Sequence, residues 1–173
     1  MCIVLDTNAF GQFFDSTNKN HLEFKPVLNW VVSGSGKLVY GGSKYKAEMK
    51  EAHKYIKFFT LLDKAGKLVK LNDAKVDNLH TKVRALEPCK KFDDPHLIAI
   101  ILESKCQIIC TNDKRAIPYI KKAMFYPKGI KKPKLYTSKK NIALLCDKYT
   151  AAICKPCNRL PKKVVKILEP QFL

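Results

Sequence analysis

Five short apolar runs, separated by stretches with a helical beat, set the pattern of this chain. Cys2-Ile3-Val4-Leu5, Leu38-Val39-Tyr40, Leu68-Val69-Lys70-Leu71, Gln107-Ile108-Ile109-Cys110 and Leu135-Tyr136-Thr137 each read as a strand. The first is continuously apolar rather than alternating, which suits a parallel strand covered on both faces. Phe10, Phe13 and Phe14 mark a helical turn over 9–14, and Leu22 to Val32 predicts a helix that Ser33-Gly34-Ser35-Gly36 ends. Tyr45, Met49, Ala52, Ile56, Phe59 and Leu62 recur at three- and four-residue steps, predicting one long helix from a Ser43 N-cap to Gly66. Val76, Leu79, Val83 and Leu86 place another over 74–86. Asp94-Pro95 reads as a helix start, a capping acid followed by proline at the first helical position, with Leu97, Ile98, Ile101 and Leu102 facing inward. Helices are also expected from Asp113 through Met124 and from about Lys139 to Asp147. Strands alternating with helices predict a three-layer α/β/α domain around a central parallel sheet of about five short strands. That domain covers residues 1–148, and residues 149–173, where Cys, Pro and Lys take over, read as a basic C-terminal tail.

A chain of 173 residues fits one domain. No run approaches the roughly 18 apolar residues of a membrane span, and Asp6 interrupts the N-terminal apolar run, so neither a span nor a leader is expected. The seven cysteines form no regular framework. Cys2, Cys106 and Cys110 lie in strand-like surroundings where a reduced cysteine acts as a small hydrophobe, which points to a cytoplasmic protein. Cys154-Lys155-Pro156-Cys157 has the gap of a zinc knuckle. Only Cys146 is near it in sequence and Cys89 would have to come from afar, so zinc is not expected.

Charge changes the picture more. The chain carries 33 Lys and Arg against 15 Asp and Glu, a net +18, which implies a polyanionic partner, nucleic acid first. From Lys114 to Lys166 the one acid is Asp147. Lys114, Arg115, Lys128, Lys131, Lys132 and Lys134 are the candidate phosphate contacts, the last four in a Pro/Gly loop that cannot bury them. Tyr119, Phe125, Tyr126, Tyr136 and Tyr149 interleave with this charge. Rings among cations suit single-stranded nucleic acid, although rings at helical spacing equally suit a core.

In so basic a chain, four acids stand where apolar elements end or begin: Asp6, Glu48, Asp94 and Asp113. Ligands of an open α/β sheet bind beyond the carboxyl ends of its strands, which is where Asp6 and Asp113 fall. Singly, each acid could cap a helix, start a turn or face solvent. Together they would repel one another unless a cation sat among them, and hard ions such as Mg²⁺ or Mn²⁺ take oxygen ligands. Glu51 competes with Glu48, and Asp93 with Asp94. His96 follows the Asp94 cap and is a candidate for the same crevice, toward a phosphate, or a packing residue; His21, His53 and His80 are expected at the surface. Other frames fit less well. Asn8 stands where a haloacid-dehalogenase-type phosphatase needs a second Asp. Gly34-Ser35-Gly36-Lys37 lacks the phosphate-loop frame, Thr7-Asn8-Ala9-Phe10 is no dinucleotide turn, and Asn72-Asp73 is a poor receiver-domain phosphoacceptor.

Leu5-Asp6-Thr7-Asn8, Glu48, Asp94-Pro95-His96-Leu97-Ile98-Ala99 and Thr111-Asn112-Asp113 resemble the acidic signature of the PIN domain family. The resemblance spans roughly residues 1–145. It implies a metal-dependent endoribonuclease in which Asp6, Glu48, Asp94 and Asp113 hold one or two Mg²⁺ or Mn²⁺ ions, supported by Asn8 and Thr111. Hydrolysis would need no covalent enzyme intermediate. Many members of that family are toxins of bacterial toxin–antitoxin pairs, so an antitoxin protein is a candidate partner, and homodimers are common. A catalytically silent nucleic-acid-binding module and a structure-specific DNA nuclease are the alternatives.

Overall fold

The computed structural model describes residues 2–171. Residues 1, 172 and 173 of the two expected segments lie outside them. Five parallel strands form one sheet: β1 (Cys2–Leu5), β2 (Lys37–Tyr40), β3 (Leu68–Lys70), β4 (Ile108–Cys110) and β5 (Lys134–Tyr136), in the order β3-β2-β1-β4-β5. Ile3 faces Leu38 across β1 and β2, and Val4 faces Ile109 across β1 and β4. Helices α1 (Phe10–Phe14) and α2 (His21–Val32) join β1 to β2, and α3 (Ser43–Glu51) and α4 (Ile56–Lys64) join β2 to β3. Helices α5 (Asp73–Leu86) and α6 (Pro95–Ser104) then return across the sheet to β4, and α7 (Ala116–Ile120) precedes β5.

This order has a consequence for function. The chain steps outward from β1 to β3 in one direction, then jumps back to β4 on the other side of β1. Right-handed crossovers therefore put the first connections on one face and the later ones on the other, giving three layers. The connections diverge between β1 and β4, and a crevice opens there at the carboxyl ends of the strands. Both central strands are buried on both faces: Val4, Leu5, Ile109 and Cys110 are fully covered. Helix α6 is buried from Pro95 through Ile101, which explains its continuous apolar run.

Several elements depart from the sequence pattern. The long helix expected from Ser43 to Gly66 is two. The backbone leaves the helix at Ala52 (φ −83°, ψ 41°), and a 3-10 turn over His53–Tyr55 re-aims the chain into α4. Ser43 does not cap α3. Gly42, at φ +85°, occupies the cap position, where a β-carbon would stand 2.6 Å from Val76 Cγ1. The capping acceptors come from α5: Gly42 N–H donates to Asp73 Oδ1 (3.0 Å), and Ser43 donates its N–H (2.8 Å) and hydroxyl (2.6 Å) to Asp77. Asp77→Ala is therefore expected to lower stability by about 1 kcal/mol, as a lost cap does. An unchanged urea midpoint would show that these contacts carry no weight.

The helix expected over 113–124 shrinks to α7 and a 3-10 turn over Ala123–Phe125, and the one expected from Lys139 is 3-10 turns with a non-helical Asn141. Residues 149–171 pack on the domain: Ala151, Cys154 and, in α8 (Lys162–Leu168), Leu168 are buried. Cys2 is not a lone hydrophobe, because it is joined to Cys154 in a disulfide. His21 is buried, with Nδ1 3.0 Å from the Gln12 carbonyl oxygen. Among the described residues, no helix is long and apolar enough to cross a membrane.

Candidate metal centre

Asp6 leaves the end of β1 with its side chain fully buried. Its Oδ1 accepts from the Asn8 N–H (2.9 Å) and its Oδ2 from the Thr111 hydroxyl (2.5 Å), so both expected supporting positions touch the site. The Asn8 contact is through its backbone; the Asn8 side chain reaches 3.5 Å toward Asp113 Oδ2. Burial raises the Asp6 pKa against these hydrogen bonds.

Glu48 arrives from α3, and Tyr45, one turn earlier, fixes that helix to the strand by donating its hydroxyl to the Leu5 carbonyl at 2.7 Å. Glu48 Oε2 accepts from the Thr7 hydroxyl (2.6 Å), and Oε1 pairs with Lys44 (3.1 Å). His96 Nε2 lies 3.3 Å from Oε2, at ion-pair distance but without hydrogen-bond alignment. Burial opposes ionisation of Glu48, yet His96, Thr7 and Lys44 outweigh it and hold the carboxylate at about 2. Glu51 is exposed and lines the same crevice, whereas Glu48 is the one of the two that lies within 4.8 Å of Asp94 and His96.

Asp94 stands at the N-cap of α6 but makes no capping hydrogen bond. It is 5% exposed, and its Oδ2 is buried without a hydrogen-bond partner. Burial, with Asp6 next, pushes its pKa up to about 7. Ligand atoms of Glu48, Asp94 and His96 lie within 4.8 Å of one another. His96 is the residue whose place the sequence left open. Its signal was the second position of a helix led by Asp94, and the structure buries it between Tyr45 and His80.

Asp113 sits at the edge of this group. Its Oδ1 accepts from the Arg115 backbone (2.7 Å) and its Oδ2 from the Arg115 guanidinium (3.2 Å). Burial pushes its pKa up, but the Arg115 contacts prevail and lower it. Arg115 also lies 3.6 Å from Asp93, which is exposed. The crevice over these groups has a volume of about 470 Å³ and is lined by Thr7, Asn8, Glu48 and Asp94 below and by Lys44 and Arg115 at its rim.

The basic candidates divide. Lys114 and Arg115 are exposed, and Arg115 lines the crevice. Lys128, Lys131, Lys132 and Lys134 are also exposed, but their loop enters β5 at its amino end, the opposite edge of the sheet. Of the interleaved rings, Phe125 and Tyr136 are core residues. Tyr119 lies differently. It stacks on Phe92 (centroids 4.6 Å apart, planes at 15°) and carries Lys122 over its ring at 4.7 Å. It lines a second depression of about 550 Å³, with Lys90, Lys91 and Lys122, that shares Asp93 and Arg115 with the acidic crevice. The sequence did not single out Lys90 and Lys91, which lie outside the long basic run.

Compared with known proteins, the chain matches no family model, no curated protein and no solved structure.

Proposed function

We propose that this protein is a divalent-metal-dependent endoribonuclease of PIN type, hydrolysing phosphodiester bonds in single-stranded or structured RNA. The observation that carries this reading is the Asp94 carboxylate. It is buried, has an oxygen with no hydrogen-bond partner, and is repelled by Asp6 and, less, by Asp93 and Glu48, with His96 offsetting part of that repulsion. A buried carboxylate among carboxylates is costly unless a cation joins them, so the donor set fits a hard divalent ion. Asp6, Glu48 and Asp94 would hold it, with Asp113 at the margin. Such an ion would supply Lewis-acid neutralisation of phosphate charge and a water of lowered pKa.

The protein's own groups have separable parts. Thr111 and the Asn8 backbone hold the Asp6 oxygens in place, and Thr7 and His96 hold Glu48. Lys44, Lys90, Lys91 and Arg115 offset phosphate charge around the crevice, and Tyr119 offers a ring for a base in the adjoining depression. The test is cleavage of a single-stranded RNA with Mn²⁺. Activity that chelator removes, and that Asp6→Asn lowers by about 100-fold or more, supports the reading. Tight, salt-sensitive RNA binding without cleavage would identify a silent binding module instead. Preference for a branched DNA substrate would identify a DNA nuclease.

A further inference from the structure

The far edge of the sheet holds a second cluster with its own chemistry. Cys2 opens β1 and Cys106 stands just before β4, so both lie at the amino ends of adjacent strands, across the sheet from the acids. Cys154 comes from the C-terminal segment, and all three side chains are fully buried. Cys106 Sγ is 3.3 Å from Cys2 Sγ, and the three sulfurs lie within 4.8 Å of one another. Cys157, three residues beyond Cys154 in the Cys-Lys-Pro-Cys turn, donates to the Cys154 carbonyl at 3.0 Å and lies within electrostatic reach of Cys106. The cysteines that the fold brings to Cys154 are thus Cys2 and Cys106.

We propose that in the reduced protein Cys2, Cys106, Cys154 and Cys157 form a tetrathiolate site for zinc that fastens the C-terminal segment to the amino edge of the sheet. Thiolates bound to zinc at about 2.3 Å in a tetrahedron stand roughly 3.8 Å apart; Cys2 and Cys106, at 3.3 Å, approach that spacing, and zinc would draw in Cys157 from the adjoining turn. Three buried sulfurs and one half-exposed one make a closed structural site with a path for entry. Four thiolates on Zn²⁺ leave a net charge of 2−. The buried Lys67 ammonium, which donates to the Gly34 (2.7 Å) and Asn158 (3.1 Å) carbonyls, sits beside Cys157 to offset it. The Cys2–Cys154 disulfide and the zinc site are exclusive states of the same sulfurs. A dithiol such as dithiothreitol supplies the two electrons and two protons that open the disulfide, becoming oxidised itself. Zinc then takes four thiolates as four protons leave.

The experiment is elemental analysis of protein purified under reducing conditions, joined to cobalt replacement. About one zinc per chain supports the proposal if it is retained in the double variant Glu48→Gln, Asp94→Asn and lost in Cys106→Ser and Cys157→Ser. So does the intense visible absorption of tetrahedral cobalt thiolate in the unmutated protein, which needs no variant to fold. Protein that is zinc-free after reducing purification overturns it, whether seven thiols react in denaturant or five, the latter meaning that the disulfide outlasts the reductant. Zinc lost from the Glu48/Asp94 variant but kept in the cysteine variants also overturns it, by assigning the ion to the acidic crevice.

Discussion

Asp94→Asn is expected to abolish metal-dependent RNA cleavage while making the metal-free protein more stable. The two effects share one cause. The Asp94 carboxylate is buried beside Asp6 and Glu48, and its Oδ2 has no hydrogen-bond partner to offset its charge. An amide of the same shape removes the repulsion and brings N–H donors to neighbours that can accept. The expected gain at pH 8 is about 1–3 kcal/mol, and each kcal/mol raises the melting temperature by roughly 2–4 °C in a chain of this size. An amide cannot replace a carboxylate in holding a hard cation, so the Mn²⁺-induced rise in melting temperature should vanish with the activity. In the unmutated protein that rise follows ligand linkage, about 2.7 kcal/mol at a hundredfold excess over Kd. The variant needs two measurements, melting with and without Mn²⁺ and single-turnover cleavage. A metal-free variant that melts below the unmutated protein would mean that Asp94 supports the fold rather than a cation.

The features that make Asp94 legible in the sequence are local. A proline after an acid fixes where α6 begins, and the apolar run behind it fixes what is buried. What the acid does with its oxygens is not local. A capping carboxylate turns back to the helix amides, and Asp94 does not; it lies close to Glu48 from α3 and in the field of Asp6, just past the end of β1. The parallel strands were legible for the same local reason, since strands covered on both faces need no polar alternation. The break between α3 and α4 was hidden because Ala52 and Ile56 keep the apolar period through it. The fate of the C-terminal segment was hidden because its anchors, Ala151, Cys154 and Leu168, are few among lysines and prolines, while their partners lie far away in the chain. The basic loop shows the limit of composition. Its lysines are exposed as expected, yet only topology reveals that they sit at the edge opposite the acids. The nearer cations, Lys90 and Lys91, come from a short connection before α6 that no charge run marks.

Stability without metal should fall as pH rises from about 4 to about 7, the reverse of the rise usual for carboxylates paired in the native state. Asp94 titrates near the ordinary carboxylate value of 3.8 when unfolded and at about 7 when folded. Between those values the folded state binds the extra proton, so the burial of Asp94 is tolerated at low pH and penalised as the proton leaves. Glu48 works in a separate window. Its folded value of about 2 lies below the ordinary value of 4.5, so its contribution is present above 4.5 and is lost as pH falls toward 2. His80, lowered by burial first and then by His96, opposes the Asp94 slope, because folding then strengthens as its proton leaves. The difference between the unmutated protein and Asp94→Asn cancels His80 and Glu48 to first order. That difference should be near zero at pH 4, grow through pH 5–7 and level off above 7. Saturating Mn²⁺ should reverse it. Below pH 7 the ion must displace the Asp94 proton, so its apparent affinity should climb up to tenfold per pH unit before reaching a plateau. Chelator-treated and Mn²⁺-loaded samples melted at each pH would read both curves. Parallel curves across this range would show that no cation displaces the proton on Asp94.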